Sequence, residues 1–316
     1  LIEENRSSQL ILGEFPRWDV ETYTTLLGTK YLREPGIATL CKPDAGGIEN
    51  LWAGGFLWDF DDFVTPDEGE DGADYLPETF YSQDDWSIPP AEALVKATGQ
   101  LCYLSFGERR TKNAERAKYF RNILDSGHGS VMEHPNFSFL FYGISRSLTH
   151  ELVRHRAGFA FSQVSQRYVD GTKLRFVQRP EFLLSEGLDT RFRKRINAAR
   201  DEYSEVAQEF LPLLKQLNPD AAGMSRTDVR KALNQVARAV LPNETEAPIA
   251  VTANIRAWRH FFNMRGSLFA EPEIRRLAVR LFRCMYPLCP ELLPDIKVHE
   301  TGDFRGEYLT VGHPKV

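Results

Sequence analysis

The residues best equipped for chemistry lie in one stretch, RHRAGFAFSQVSQRY at positions 154–168. Arg154, His155 and Arg156 are consecutive. After an apolar, glycine-containing spacer come Ser162, Gln163, Ser165, Gln166, Arg167 and Tyr168. Guanidinium groups, hydroxyls and an amide at this density are what a protein uses to hold phosphate oxygens. The same residues also fit a solvated basic helix end followed by a polar turn. A second cluster, HGSVMEH, gathers His128, Ser130, Glu133 and His134. Its spacing is not that of HExxH or a related zinc motif, so no metal is expected. A third, NIRAWRHFFNMRG, has the period of a helix from about Asn254. Asn254, Trp258, Phe261 and Arg265 share one side of it, and Arg256, His260 and Asn263 another. An arginine in line with apolar side chains must be paired, or must be waiting for an anion.

These residues need elements to position them. SRSLTHELV predicts a helix capped by Ser145, with Leu148, Leu152 and His155 at i, i+4, i+7. That phase buries His155 and sends Arg154 and Arg156 to either flank of a helix C-terminus, where positive charge is favoured. Ser87 and the prolines after it start another helix, with Ala91, Leu94, Ala97 and Leu101 at helical spacing. A further one is expected from Asn113 to Leu124, stopped by Gly127 and Gly129. Phe137, Phe139 and Phe141 alternate as in a half-buried strand, and KLRFVQRP predicts a strand leading to Pro180. Phe192, Ile196, Ala199, Tyr203, Val206, Phe210, Leu213 and Leu217 step by four and three, as a and d positions do. Pro212 should kink or end that helix. Its seam packs either against another subunit or within this chain's own core. A helix from a Ser225 or Thr227 cap to Leu241 should bury Val229, Leu233, Val236 and Val240. APIAVTAN then predicts a buried strand. The closing helix FAEPEIRRLAVRLF puts Ile274, Leu277, Ala278, Leu281, Phe282 and Met285 on one face.

The 316 residues, 42% hydrophobic and 26% charged, are those of a globular protein with a full core. No apolar run reaches membrane-spanning length and no signal-peptide pattern is present, so a cytoplasmic location is expected. Cys41, Cys102, Cys284 and Cys289 form no CxxC pair, which fits a reducing compartment. Net charge is −5, but residues 59–85 alone carry −11, leaving +6 on the rest. A basic body with a detached acidic segment suits an anionic ligand: a nucleotide, a folate or nucleic acid. The acidic stretch itself predicts a solvated loop, and the aromatics of residues 1–85 predict that this region docks on its own body or on a neighbouring subunit. No glycine-rich dinucleotide fingerprint, Walker loop or nucleophilic Ser or Cys motif occurs. Cys284 and Cys289 fall on or just beyond an amphipathic helix and are expected to pack.

The three clusters, in this order, resemble the motifs of the flavin-dependent thymidylate synthases, the ThyX family. Its signature is RHR, seven residues, then Ser; here AGFAFSQV makes the spacer one residue longer while RHR and SQRY are intact. HGSVMEH is similar to the family's H-x-S/T-x-x-E-H element, and NIRAWRHFFNMR to its N-x-R-x-x-x-H/N-x-x-x-x-R helix. Phe269, Glu271 and Pro272 stand where the family's H-A-Q-x-E-I-R has a His, a Gln and an arbitrary residue, so Phe269 offers stacking where the family has a His. The resemblance covers roughly residues 90–300.

It implies an α+β fold, a mostly antiparallel sheet flanked by helices. The expected layout is an N-terminal extension over 1–88, a catalytic domain over 89–300 and a C-terminal tail over 301–316. It implies FAD as cofactor, NADPH and methylenetetrahydrofolate as co-substrates, and methylation of dUMP at uracil C5 without an enzyme cysteine. His128, Ser130, Glu133, Arg154, His155, Arg156, Asn254, Arg256 and His260 are the implied flavin contacts, with His134 a packing residue. Ser165 and Arg167 are implied to clamp the nucleotide phosphate, with Gln163, Glu151, Arg238 and Arg265 as further substrate contacts. Arg154, His155, Arg156 and Arg265 would stabilise charge developing on the uracil carbonyls. A homotetramer with active sites at subunit interfaces is implied as well. The spacer is expected to be a loop in which Phe159 and Phe161 exclude a 2′-hydroxyl and favour dUMP. Its extra residue could equally make room for a ribonucleotide such as UMP. The competing reading from another class is a non-catalytic nucleic-acid-binding protein. That would need aromatic platforms beside the basic residues, whereas the aromatics mostly follow core periods.

Overall fold

The computed structural model describes residues 9–49, 88–103, 116–217 and 223–316. The acidic stretch 59–85, the Ser87 helix start and the Asn113 helix start lie outside them. In chain order the elements are β1 (Gln9–Ile11), β2 (Arg17–Asp19), β3 (Tyr23–Thr24), β4 (Lys30–Leu32), β5 (Gly36–Cys41), α1 (Pro90–Leu101) and α2 (Arg116–Asp125). Then follow β6 (Asn136–Tyr142), α3 (Arg146–Leu152), β7 (Phe159–Gln163), β8 (Phe176–Val177), α4 (Glu186–Leu217) and α5 (Arg226–Ala237). The last are β9 (Ile249–Asn254), α6 (Ile255–Arg265), α7 (Pro272–Met285), β10 (Ile296–Glu300) and β11 (Glu307–Val311).

Six strands form one sheet in the order β1-β2-β5-β6-β9-β7, antiparallel at every junction. This is the α+β fold expected. Phe137, Phe139 and Phe141 alternate inward from β6 and are buried, their rings stacked 6.3 and 6.1 Å apart. Trp258 of α6 meets Phe139 edge-on at 5.6 Å. The predicted face of α7 closes the same core: Ile274, Leu277, Ala278, Leu281, Phe282 and Met285 are all buried. Cys284 and Cys289 pack there too, and burial pushes the Cys284 thiol up to about 12, so neither is a poised nucleophile.

Residues 9–41 dock on this chain's own body. β2 and β5 extend the main sheet, while β3 and β4 join β8 in a second, three-stranded sheet. A small second core forms there from Tyr31, Phe176, Phe192, Ile196 and Ala199.

Several expectations are corrected. The spacer between RHR and SQRY is a strand, not a loop: Phe159–Gln163 pairs antiparallel with β9. Its Phe–Ala–Phe–Ser alternation is a period of two, and β9 has an edge for it to complete. Phe159 and Phe161 therefore stack on each other at 5.6 Å and pack on the core, so they do not shape a nucleotide loop. α4 continues through Pro212 to Leu217. Its seam is buried only from Phe192 to Tyr203, and Leu213 and Leu217 are exposed because no other element of the chain covers them among the described residues. On α5 the buried positions are Asn234 and Ala237, and Val236 is exposed. Asn234 turns that face, since it accepts from Tyr203 Oη at 3.0 Å and donates to the carbonyls of Arg167 and Val169. On α1 it is Val95, not Leu94, that is fully buried. His134 is exposed and not a packing residue, because it sits outside the turn that leads into β6.

Candidate functional site

α3 begins as expected, with Ser145 Oγ accepting from Leu148 N at 3.1 Å. Beneath that cap lies Glu273, a buried carboxylate from the first turn of α7. It accepts from Ser145 N and from Ser145 Oγ, both at 2.7 Å. Burial raises the Glu273 carboxyl to about 7 while the two Ser145 bonds pull it down. α3 is thus anchored at its start by a group the sequence reading missed. Only its place in the first turn of α7, two residues after Glu271, could have flagged it.

At the far end of α3 the predicted residues converge. His155 is 9% exposed and lies 5.8, 5.7 and 5.5 Å, ring to ring, from Phe159, His260 and Phe261. Arg265, at the end of α6, donates from Nε to His155 Nε2 at 3.0 Å. Its Nη1 meets Glu151 Oε2 at 2.7 Å, and its Nη2 donates to Glu151 O at 3.4 Å. Arg265 is therefore paired, as its line with Trp258 and Phe261 requires. Because Nε2 accepts, the neutral His155 ring carries its proton on Nδ1. Burial first, then the Arg265 and His260 charges, pushes its pKa down to about 4. His155 is neutral at physiological pH. Arg154 and Arg156 flank it, exposed, and neither has an ion pair among the described residues.

The HGSVMEH segment forms a 3-10 turn that meets the start of α6, where Glu133 pairs with Arg256 at 2.5 Å across an exposed surface. His128 and Ser130 are exposed on the same turn. Asn254 caps α6, its Oδ1 accepting from Ala257 N at 2.9 Å. Gly158, in the left-handed region at φ +75°, passes so close that a Cβ there would lie 3.0 Å from Asn254 Nδ2. The glycine after RHR is thus required, both by conformation and by this approach. Gln163 donates to Thr149 Oγ1 at 3.0 Å. Ser165 Oγ accepts from Arg167 N at 3.3 Å, and the exposed Arg167 guanidinium lies 6.0 Å from the Tyr168 ring.

A family model described as thymidylate synthase complementing protein matches residues 85–291. The chain belongs to this family. It is 44% identical over 212 residues to the flavin-dependent thymidylate synthase of Mycobacterium tuberculosis (strain ATCC 25618 / H37Rv), covering 67% of this chain and 82% of that protein. The flavin-dependent thymidylate synthase of Mycolicibacterium gilvum (strain PYR-GCK) is 42% identical over the same shares.

Within the family-matched region, Glu151, His155, His260 and Arg265 come together in one cluster, and Glu133 with Arg256 and Gly158 with Asn254 form two further contacts beside it. No hydrogen bond or ion pair among the described residues joins Ser165, Arg167 or half-buried Arg238 to the Arg265 cluster. The SQRY segment is instead held from behind. Asn234 Nδ2 donates to Arg167 O at 3.2 Å and to Val169 O at 3.3 Å. Nothing in the sequence pattern pointed to Asn234, which sits inside an ordinary amphipathic helix. The arrangement offers exposed guanidinium groups around a neutral, oriented imidazole. That is a surface for an anionic ligand in which charge can develop.

Proposed function

We propose that the chain is a flavin-dependent thymidylate synthase that methylates dUMP at uracil C5 to give dTMP. Methylenetetrahydrofolate supplies the carbon and NADPH the reducing equivalents. The observation that carries this reading is the bond from Arg265 to His155, which joins two family motifs 110 residues apart in the chain. FAD fits the residues present: Arg154, Arg156 and Arg256 offer cations, and the Gly158 approach to Asn254 leaves backbone where a side chain would intrude. His128, Ser130, Glu133, Arg154, His155, Arg156, Asn254, Arg256 and His260 would hold the flavin. When bound, it would supply the electrons that reduce the transferred one-carbon unit to a methyl group.

The chain's own residues do the rest. Ser165 and Arg167 clamp the phosphate, with Gln163, Glu151 and Arg238 completing the nucleotide site. Arg265 is oriented by Glu151 and His155 toward the uracil, where its charge offsets that building on a carbonyl oxygen. The folded sites belong to a homotetramer, a reading supported by the uncovered Leu213 and Leu217 of α4 and by the exposed Val236 of α5. A cytoplasmic location is supported by the four unpaired cysteines. The test is complementation of a thymidine-requiring strain, followed by turnover of dUMP and UMP with NADPH and methylenetetrahydrofolate. Rescue with dUMP preferred is expected. A colourless protein that takes up no added FAD would sink the proposal.

A further inference from the structure

Arg179 belongs to none of the three motifs. It follows β8, and its half-buried guanidinium lies between two carboxylates, those of Glu181 at 3.3 Å and Glu271. Glu271 is the cap of α7: its Oε2 accepts from Glu273 N at 2.9 Å and from Ile274 N at 3.3 Å. Three carboxylates therefore gather where the first turn of α7 meets α3. Glu273 holds the start of α3, Glu151 near its end holds Arg265, and Glu271 sits by them. Burial, and after it the Glu151 charge, makes Glu271 harder to ionise, while Arg179 makes it easier.

We propose that Arg179 is a positioning residue of the nucleotide site. It neutralises Glu271, so that Arg265 stays with Glu151 and His155 and keeps a face for the anionic pyrimidine nucleotide. This rests on the reading of Arg265 as a nucleotide contact. A half-buried carboxylate without its cation must recruit another or take up a proton. Without Arg179, Glu271 is left facing Glu151, whose own cation is Arg265, and competes with Glu151 for it. That competition disturbs the network that orients Arg265, whereas a neutral side chain at position 271 leaves it in place.

Arg179 is itself placed by strands outside the family-matched region. Its neighbour Gln178 donates from its backbone N to Leu32 O at 2.7 Å. The Gln178 Oε1 accepts from Arg33 Nε at 2.9 Å, and its Nε2 donates to Asp189 Oδ1 at 2.5 Å. The N-terminal strands thereby reach the nucleotide site through one residue.

The experiment is dUMP titration of the flavin-loaded, full-length protein, with flavin content measured alongside. Arg179→Ala should raise the dUMP Kd roughly 10-fold, a mid-range coupling for charges in one network, with flavin content unchanged. Glu271→Gln removes the charge that needs neutralising, and the Arg179→Ala/Glu271→Gln double variant should return to within about 3-fold of wild type. A merely structural clamp would not be rescued in this way. Arg179→Lys keeps the charge and guards against a folding defect; it should retain dUMP affinity within about 3-fold. An unchanged Kd in Arg179→Ala, or a double variant as weak as the single, overturns the proposal. Wild-type protein that binds no dUMP overturns the functional reading and this proposal together, and is seen before any substitution is made.

Discussion

Acidification tests whether His155 is a neutral acceptor for Arg265. In the fold its pKa is about 4, against 6.5 for an ordinary histidine. Above about pH 6.5 neither the folded nor the unfolded chain holds the proton, and His155 contributes no pH dependence. Below that, the unfolded chain binds a proton that the native ring refuses, so stability falls until the native ring protonates too, near pH 4. Integrated from pH 7.5 to 5.0, this linkage is worth about 2 kcal/mol, and roughly 3 kcal/mol when complete. Two buried carboxylates act in the opposite sense. Burial raises Glu92 and Glu273 to about 7 from 4.5, so the native state takes up protons first and gains stability as pH falls through that window. The wild-type profile alone therefore conceals His155. His155→Gln keeps an oxygen for the Arg265 Nε–H and cannot titrate. Urea unfolding of both proteins across pH isolates the difference. Wild type should lose about 2 kcal/mol relative to His155→Gln between pH 7.5 and 5.0. Parallel profiles would refute the argument from burial and neighbouring charge.

Arg167→Ala removes a charge-assisted phosphate bond and should weaken dUMP binding by roughly 2–3 kcal/mol, leaving flavin content unchanged; calorimetric titration measures the first and released-FAD absorbance the second. Replacing Cys41, Cys102, Cys284 and Cys289 by Ala should leave turnover per flavin-loaded site largely intact, since no cysteine falls within a site motif, two thiols being exposed and two buried in the core. Complete loss of turnover in folded, flavin-loaded protein would reinstate a cysteine in the chemistry.

Where periodicity and local chemistry agreed, the fold was legible. Ser145 was readable as a cap because a short polar side chain before a helical period has one obvious use. Phe137, Phe139 and Phe141 were readable as a strand, and α7 as an amphipathic helix, because each buries one clean face. The spacer was misread because five residues with a period of two look like a loop until β9 supplies the partner. α4 and α5 were misjudged for the converse reason. Their apolar stripes are real, but Asn234 sets the phase of one and nothing among the described residues covers the end of the other. The site was legible wherever it consists of unusual residues in tight spacing. It was illegible where ordinary glutamates and arginines acquire roles only by long-range pairing, as Glu273, Glu271 and Arg179 do.

Two arginines on α6 show the same distinction in energetic form. Arg259 is 1% exposed and grips Asp295 through both oxygens, at 2.7 and 2.9 Å. It also donates to the carbonyls of Leu292, His313 and Val316 at 2.8, 3.3 and 3.3 Å, so all its directions are committed to holding the C-terminal hairpin region to α6. Arg265, two turns later, has a side chain 24% exposed and a partner, Glu151, that is 32% exposed. Solvent screens such a pair, so breaking it costs only about 1 kcal/mol of folding stability. Arg259→Leu strands Asp295 in a half-buried place and should cost about 3–5 kcal/mol. Arg265→Leu should instead lower stability by only about 1 kcal/mol while weakening dUMP binding by roughly 2–3 kcal/mol. Both variants need both measurements. If Arg265→Leu unfolded the protein as readily as Arg259→Leu and the surviving fraction bound dUMP normally, Arg265 would be scaffold. The exposed, adaptable pairing described for it would then have no functional meaning.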